Sequence, residues 1–147
     1  MYTIRKDFAF SASHSLDCLP ADHPCSRIHG HNYVVTVELR AEATDEVGMV
    51  FDYRRLEPVK KFIDSTLDHK HLNDFLPLNP TAENLAVHIF ELFKESIPYL
   101  HAVEVSETPK TSARYEQADT DFISIKTKEE SNDSKTSHSG IPYFTQE

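Results

Sequence analysis

The chain has 147 residues and a formal net charge of −9 at pH 7, long enough for one domain with a core of its own. That charge, with no basic stripe, excludes nucleic acid as a partner because the dominant phosphate attraction would turn repulsive; an anionic small molecule, which reads only its own pocket, stays open. No apolar run approaches the roughly 20 residues that span a bilayer, and residues 1–7 do not have the form of a secretion signal, so a cytoplasmic, reducing compartment is expected with Cys18 and Cys25 as free thiols.

Residues 3–14 read as a strand. Ile4, Phe8, Phe10, Ala12 and His14 share one parity, so an apolar face ends in a histidine. Residues 15–28, with Asp17, Pro20, Asp22 and Pro24, form a long loop that carries Cys25. Residues 29–42 supply an antiparallel partner strand. His29, His31, Tyr33, Val35, Val37 and Leu39 lie on one face of it, with Thr36, Glu38, Arg40 and Glu42 on the other. Gly48 begins a turn that leads to Asp52, a helix cap.

Val59, Phe62, Ile63, Thr66 and Leu67 recur at helical spacing, and Pro58 predicts an irregular first turn with the regular helix starting near it. After the stretch Leu67-Asp68-His69-Lys70-His71 and a loop with Pro77 and Pro80, Thr81 caps a second helix. Its apolar stripe is Leu85, Ile89, Leu92 and Phe93, and Pro98 closes it. Residues 102–107 and 112–116 are the third and fourth strands, joined at Pro109. This order predicts an α+β fold: a four-stranded antiparallel sheet with two helices on one face. The domain is expected to span 1–120. In the extension 121–147, Phe122, Ile123 and Ile125 suggest a short strand and 127–140 a polar, mobile tail; 141–144 suggests a segment that docks on a neighbour.

Pairing the first two strands antiparallel brings His14, His29 and His31 together at the rim of the apolar face. Three imidazoles without a fourth protein ligand describe an open zinc site that keeps a position for water or substrate. The competing reading, that His29 and His31 are ordinary strand residues, is weakened by the matching parity of His14. Cys25, near that site and near Arg27, is a candidate thiolate base or nucleophile; the alternative is a fourth zinc ligand, which would require the short connection to His29 to fold back sharply. Asp68 and His69 are a candidate proton shuttle, set against a helix end whose histidines merely offset the dipole. Glu107 projects from an apolar face and needs a partner: either the adjacent N–H donors of a planar heterocycle or Arg114 across the hairpin.

Taken together, these residues resemble the 6-pyruvoyl-tetrahydropterin synthase and 6-carboxytetrahydropterin synthase family. The match runs from Phe8-Ala9-Phe10-Ser11-Ala12-Ser13-His14 through Cys25-x-x-x-His29-Gly30-His31-Asn32-Tyr33. It continues through Leu67-Asp68-His69, Leu72-Asn73, Asn79-Pro80-Thr81 and Val105-Ser106-Glu107-Thr108. The resemblance implies the tunnelling fold, in which sheets of several subunits join into a barrel, and a homohexamer of two trimers with active sites between subunits. It implies zinc on His14, His29 and His31, Cys25 as the proton-abstracting base, Asp68 and His69 as a relay, and Glu107 as the anchor of the pterin ring. Arg27 is a candidate for holding the triphosphate.

The three-residue spacer between Cys25 and His29 is similar to that of bacterial 6-carboxytetrahydropterin synthases of queuosine biosynthesis. That implies a lyase converting 7,8-dihydroneopterin triphosphate to 6-carboxy-5,6,7,8-tetrahydropterin, acetaldehyde and triphosphate. Its alternatives are a 6-pyruvoyl-tetrahydropterin synthase, which eliminates triphosphate without carbon–carbon cleavage, and a module that binds a pterin without turnover.

Overall fold

Two long strands set the frame of the computed structural model, which describes residues 1–117. β1 (Tyr2–His14) and β2 (His29–Ala41) pair antiparallel from Tyr2 opposite Ala41 to His14 opposite His29. β3 (Leu100–Thr108) follows β2 and β4 (Thr111–Glu116) follows β3, so the sheet runs β1-β2-β3-β4, antiparallel throughout. The predicted parity is the buried one: Phe8, Phe10, Tyr33, Val35, Val37, Leu39, Val103 and Val105 join a single core. Each such side chain contributes about 1.5–3 kcal/mol on leaving water.

Both helices cover that face. Asp52 Oδ1 accepts the Arg54 N–H at 3.0 Å and caps one tight turn, Tyr53–Leu56, before α1 (Glu57–Phe62) begins with Pro58 in its first turn. A proline there lacks only an N–H that would have no helical partner. The helix then widens over Ile63–Leu67, where the Asp68 N–H reaches Ile63 O at 2.8 Å, and Val59, Ile63 and Leu67 all remain buried. Thr81 Oγ1 accepts the Asn84 N–H at 3.2 Å and caps α2 (Ala82–Phe93).

The stripe expected on α2 needs one correction. Leu85, Ile89 and Phe93 are buried, but Leu92 is 49% exposed and Phe90 takes its place. The Phe90 ring meets Tyr115 of β4 edge-on at 5.2 Å, so the helix is rotated toward the β4 side of the sheet. The turn before Asp52 also starts earlier than expected: Gly48 closes it, with φ +89° and its N–H on Asp45 O. The segments expected at 122–125, 127–140 and 141–144 lie outside the described residues.

Two features fall outside simple parity. Residues 69–71 run along the outer edge of β1, with the His69 N–H on Ser11 O (2.7 Å) and the Ser13 N–H on Lys70 O (3.0 Å), which covers part of an otherwise open edge. On the helix-free face Glu38 is buried, its side chain only 4% exposed. Arg5 Nε donates to it at 2.9 Å and an Arg114 guanidinium N–H at 2.8 Å, with Arg40 3.5 Å away. Burial alone would raise the Glu38 pKa, but the hydrogen bonds from Arg114 and Arg5 hold it below the usual glutamate value.

Candidate active site

Register places His14 opposite His29, and the two-residue period brings His31 to the same side. One ring nitrogen from each lies within 4.8 Å of the other two. His14 Nδ1 is 2.7 Å from Pro80 O, and His29 Nδ1 is 2.8 Å from Arg27 O. A carbonyl only accepts, so each Nδ1 bears the proton and each Nε2 of a neutral ring presents a lone pair. Those two Nε2 atoms face one another at 3.0 Å.

Facing lone pairs repel, and a cation between them removes the repulsion. Burial pushes the His14 pKa below its ordinary value; His29 and His31 add to that, against opposing pulls from Pro80 and Glu107. A shared proton is thereby disfavoured. Three imidazoles, two of them oriented through Nδ1 by backbone carbonyls, fit a divalent cation such as zinc and leave a coordination position open.

The cluster opens into a cavity of about 870 Å³ lined also by Cys25, Arg27, Thr81, Glu83, Glu107 and Ser112. Cys25 is half-buried on its wall and contributes no atom to the cluster of ligand nitrogens. Its position comes from a single turn, Pro24–Ser26, capped by His23, whose Nδ1 accepts the Cys25 N–H at 3.1 Å. Glu107 reaches the same cavity, while Arg114, its alternative partner, is committed on the other face to Glu38 and Glu116. Tyr33 stacks on Phe10 at 4.8 Å and meets the rings of His14 and His31 edge-on at 6.0 and 5.6 Å. Its hydroxyl is buried without a hydrogen-bond partner among the described residues, and burial, then the Glu107 charge, pushes the phenol pKa up.

Asp68 and His69 are brought together, but not to Cys25. They form the pair that adjacent side chains rarely make because His69 adopts φ +58°, which turns its Nδ1 to within 2.8 Å of Asp68 Oδ2. Asp68 Oδ1 accepts the Ser11 N–H at 2.9 Å. That bond first, and His69 second, holds the Asp68 carboxyl below its ordinary pKa. The His69 ring is 81% exposed and borders a separate cleft of about 530 Å³ with Ser11, Ser13, Asn32 and His71. His31 lines both spaces.

Several contributors to the site have no local signal in the chain. The Pro80 carbonyl that orients His14 is 66 residues away, and a backbone acceptor cannot be read from residue type. His23 and His71 also have partners invisible to spacing, a backbone N–H two residues on and the Ser13 hydroxyl at 3.1 Å. Thr81 and Glu83 line the cavity as well as opening α2.

Residues 3–118 match the family model described as 6-pyruvoyl tetrahydropterin synthase. A Synechocystis protein named 6-carboxy-5,6,7,8-tetrahydropterin synthase is 39% identical over 123 residues, covering 78% of this chain and 93% of that one. A Rickettsia bellii protein of the same name is 31% identical over 125 residues, covering 68% and 89%. The solved structure of Caenorhabditis elegans 6-pyruvoyl tetrahydropterin synthase superposes with a TM-score of 0.70 at 32% identity, over 80% of this chain and 96% of that one.

Proposed function

Because the chain belongs to the 6-pyruvoyl tetrahydropterin synthase family, we propose that it is a zinc-dependent lyase converting 7,8-dihydroneopterin triphosphate and water to 6-carboxy-5,6,7,8-tetrahydropterin, acetaldehyde and triphosphate, the reaction of the queuosine branch. The observation that carries this reading is one cavity holding three convergent imidazoles, a free thiol and a carboxylate. Zinc bound by His14, His29 and His31 supplies a Lewis acid beside the substrate's side-chain oxygens.

The remaining work falls to the chain's own groups. Glu107 accepts two N–H groups from the edge of the pterin ring and fixes its orientation. Cys25, as thiolate, removes a proton from the side-chain carbon, and Arg27, which also lines the cavity, holds the triphosphate. Asp68 and His69 relay protons to the side-chain oxygens. Because His69 borders a separate cleft, Asp68 and His69 in this reading serve the Cys25 site of a second copy of the chain, within a barrel of joined sheets assembled as a homohexamer of two trimers. The synthase domain is 1–120, with 121–147 an extension, and the enzyme is cytoplasmic.

A second reading, 6-pyruvoyl-tetrahydropterin synthesis, draws on the resemblance to the C. elegans enzyme. Product analysis separates the two. Incubation of the zinc-loaded protein with 7,8-dihydroneopterin triphosphate yields acetaldehyde together with triphosphate if the carbon–carbon bond is cleaved. Triphosphate without acetaldehyde moves the chain to the pyruvoyl reaction, and neither product refutes both.

A further inference from the structure

The bonding pattern of β1 does not stop at His14. The Ser15 N–H donates to Asn73 Oδ1 at 2.9 Å, and Asn73 Nδ2 donates to Ser15 O at 2.8 Å. Two residues on, the Asp17 N–H donates to Asn79 Oδ1 at 2.7 Å and Asn79 Nδ2 returns a bond to Asp17 O at 3.0 Å. A carboxamide carries the same donor and acceptor as a peptide group, so two side chains stand in for two rungs of a β-ladder. The residue between them bonds elsewhere: the Leu16 N–H donates to Cys25 O at 2.8 Å.

The anchors of these carboxamides are themselves fixed. Asn73 lies in the turn Leu72–Asp74, whose Leu72 is fully buried. Asn79 O accepts the Asn84 amide at 2.8 Å and the Thr81 N–H at 2.9 Å at the start of α2. The next residue, Pro80, is the one whose carbonyl orients His14. One connection therefore holds a metal-cluster histidine through Pro80 and, through Asn79 and Leu16, the loop that carries the cysteine.

We infer that Asn73 and Asn79 are positioning residues: their carboxamides clamp Ser15 and Asp17 so that Leu16 holds Cys25 at its working position beside the histidine cluster. The inference rests on the proposed role of Cys25 as the base. Neither asparagine lines the 870 Å³ cavity, so both act through the loop and not on the ligand. A displacement of the thiol of about 1 Å is enough to slow a proton transfer strongly while leaving ring binding and metal binding alone.

The test is Asn79→Asp, which keeps the shape and the acceptor for the Asp17 N–H but sets a carboxylate oxygen against the Asp17 carbonyl, with Asn79→Ala and Asn73→Asp beside it. Residue-level hydrogen exchange reads the Leu16 amide, with Val35 and Val37 as core controls. Zinc content, affinity for 7,8-dihydroneopterin and kcat are measured on the same full-length preparations. Loss of the clamp speeds Leu16 exchange roughly tenfold without touching the core amides. It also lowers kcat by about tenfold to a hundredfold with zinc content and pterin affinity unchanged. Unchanged Leu16 exchange overturns the clamp, and faster exchange with unchanged kcat overturns its role in positioning. If the unsubstituted protein shows no turnover, the proposed function fails by itself, and the clamp stands or falls on the exchange of Leu16 alone.

Discussion

Replacing Glu38 with Gln isolates the one carboxylate buried on the helix-free face of the sheet among the described residues. In the native chain both its oxygens are used, one by Arg5 Nε at 2.9 Å and the other by an Arg114 N–H at 2.8 Å. Glutamine keeps one acceptor and turns an amide N–H toward a guanidinium, so one charged hydrogen bond is lost and Arg5, Arg40 and Arg114 crowd together with only Glu116, paired to Arg114, to offset them. Breaking a fully buried pair costs about 3–5 kcal/mol. Arg5 is 62% exposed and Arg114 30%, so water recovers part of that loss, and about 2 kcal/mol remains.

Urea unfolding at fixed protein concentration and saturating zinc reads that difference directly, and the melting temperature should fall by about 6–8 °C. The sign of the pH dependence follows from the depressed Glu38 pKa. Its stabilisation is complete above the unfolded value, roughly pH 4.3, and is lost as pH falls through the lower folded value. The gap between native and Glu38→Gln proteins is therefore constant from neutral pH down to about 5 and closes below it. A variant within about 0.5 kcal/mol of native stability at pH 7 would leave the Glu38 ion pairs without a stabilising role, as would a gap that widens in acid.

Other consequences are simpler to check. Phe90→Ala, which empties a fully buried position against Tyr115, destabilises by about 3–4 kcal/mol, whereas Leu92→Lys on the same helix changes stability by less than about 0.5 kcal/mol in urea titrations. Cys25→Ala retains zinc by metal analysis and still binds 7,8-dihydroneopterin, but its turnover drops at least about a thousandfold. Asp68→Asn, which keeps the acceptor for the Ser11 N–H but loses the charge beside His69, lowers kcat about tenfold or more with stability nearly unchanged.

How much of this was visible in the chain depends on the range of each interaction. The alternation of Phe8, Phe10 and His14 against His29, His31 and Tyr33 is local, and it placed the strands, their buried face and the three histidines together. The cap at Thr81 and the spacing of Val59, Ile63 and Leu67 are local too. Leu92 was misplaced because two neighbouring helical stripes are equally apolar, and only contact with Tyr115 of a later strand selects the one with Phe90. Glu38 has the parity of an outward residue, and its burial depends on arginines 33 and 76 positions away. Regular backbone keeps neighbours such as Asp68 and His69 apart; a left-handed His69 removes that obstacle, and the modest enrichment of histidine in that conformation is too weak to foretell it. The carboxamides of Asn73 and Asn79 bond to backbone atoms 58 and 62 positions distant, where residue identity carries no signal at all.

If the three-histidine cluster is the metal centre at which the pterin reacts, turnover follows the metal bound there. The most direct measurement strips the protein with a chelator, then titrates zinc back while following both bound metal and turnover of 7,8-dihydroneopterin triphosphate. The expected result is no turnover in the stripped protein, recovery in proportion to zinc up to about one ion per chain, and no zinc uptake at this site in His29→Ala. Full turnover by the stripped protein, or undiminished zinc binding and activity in His29→Ala, would contradict it.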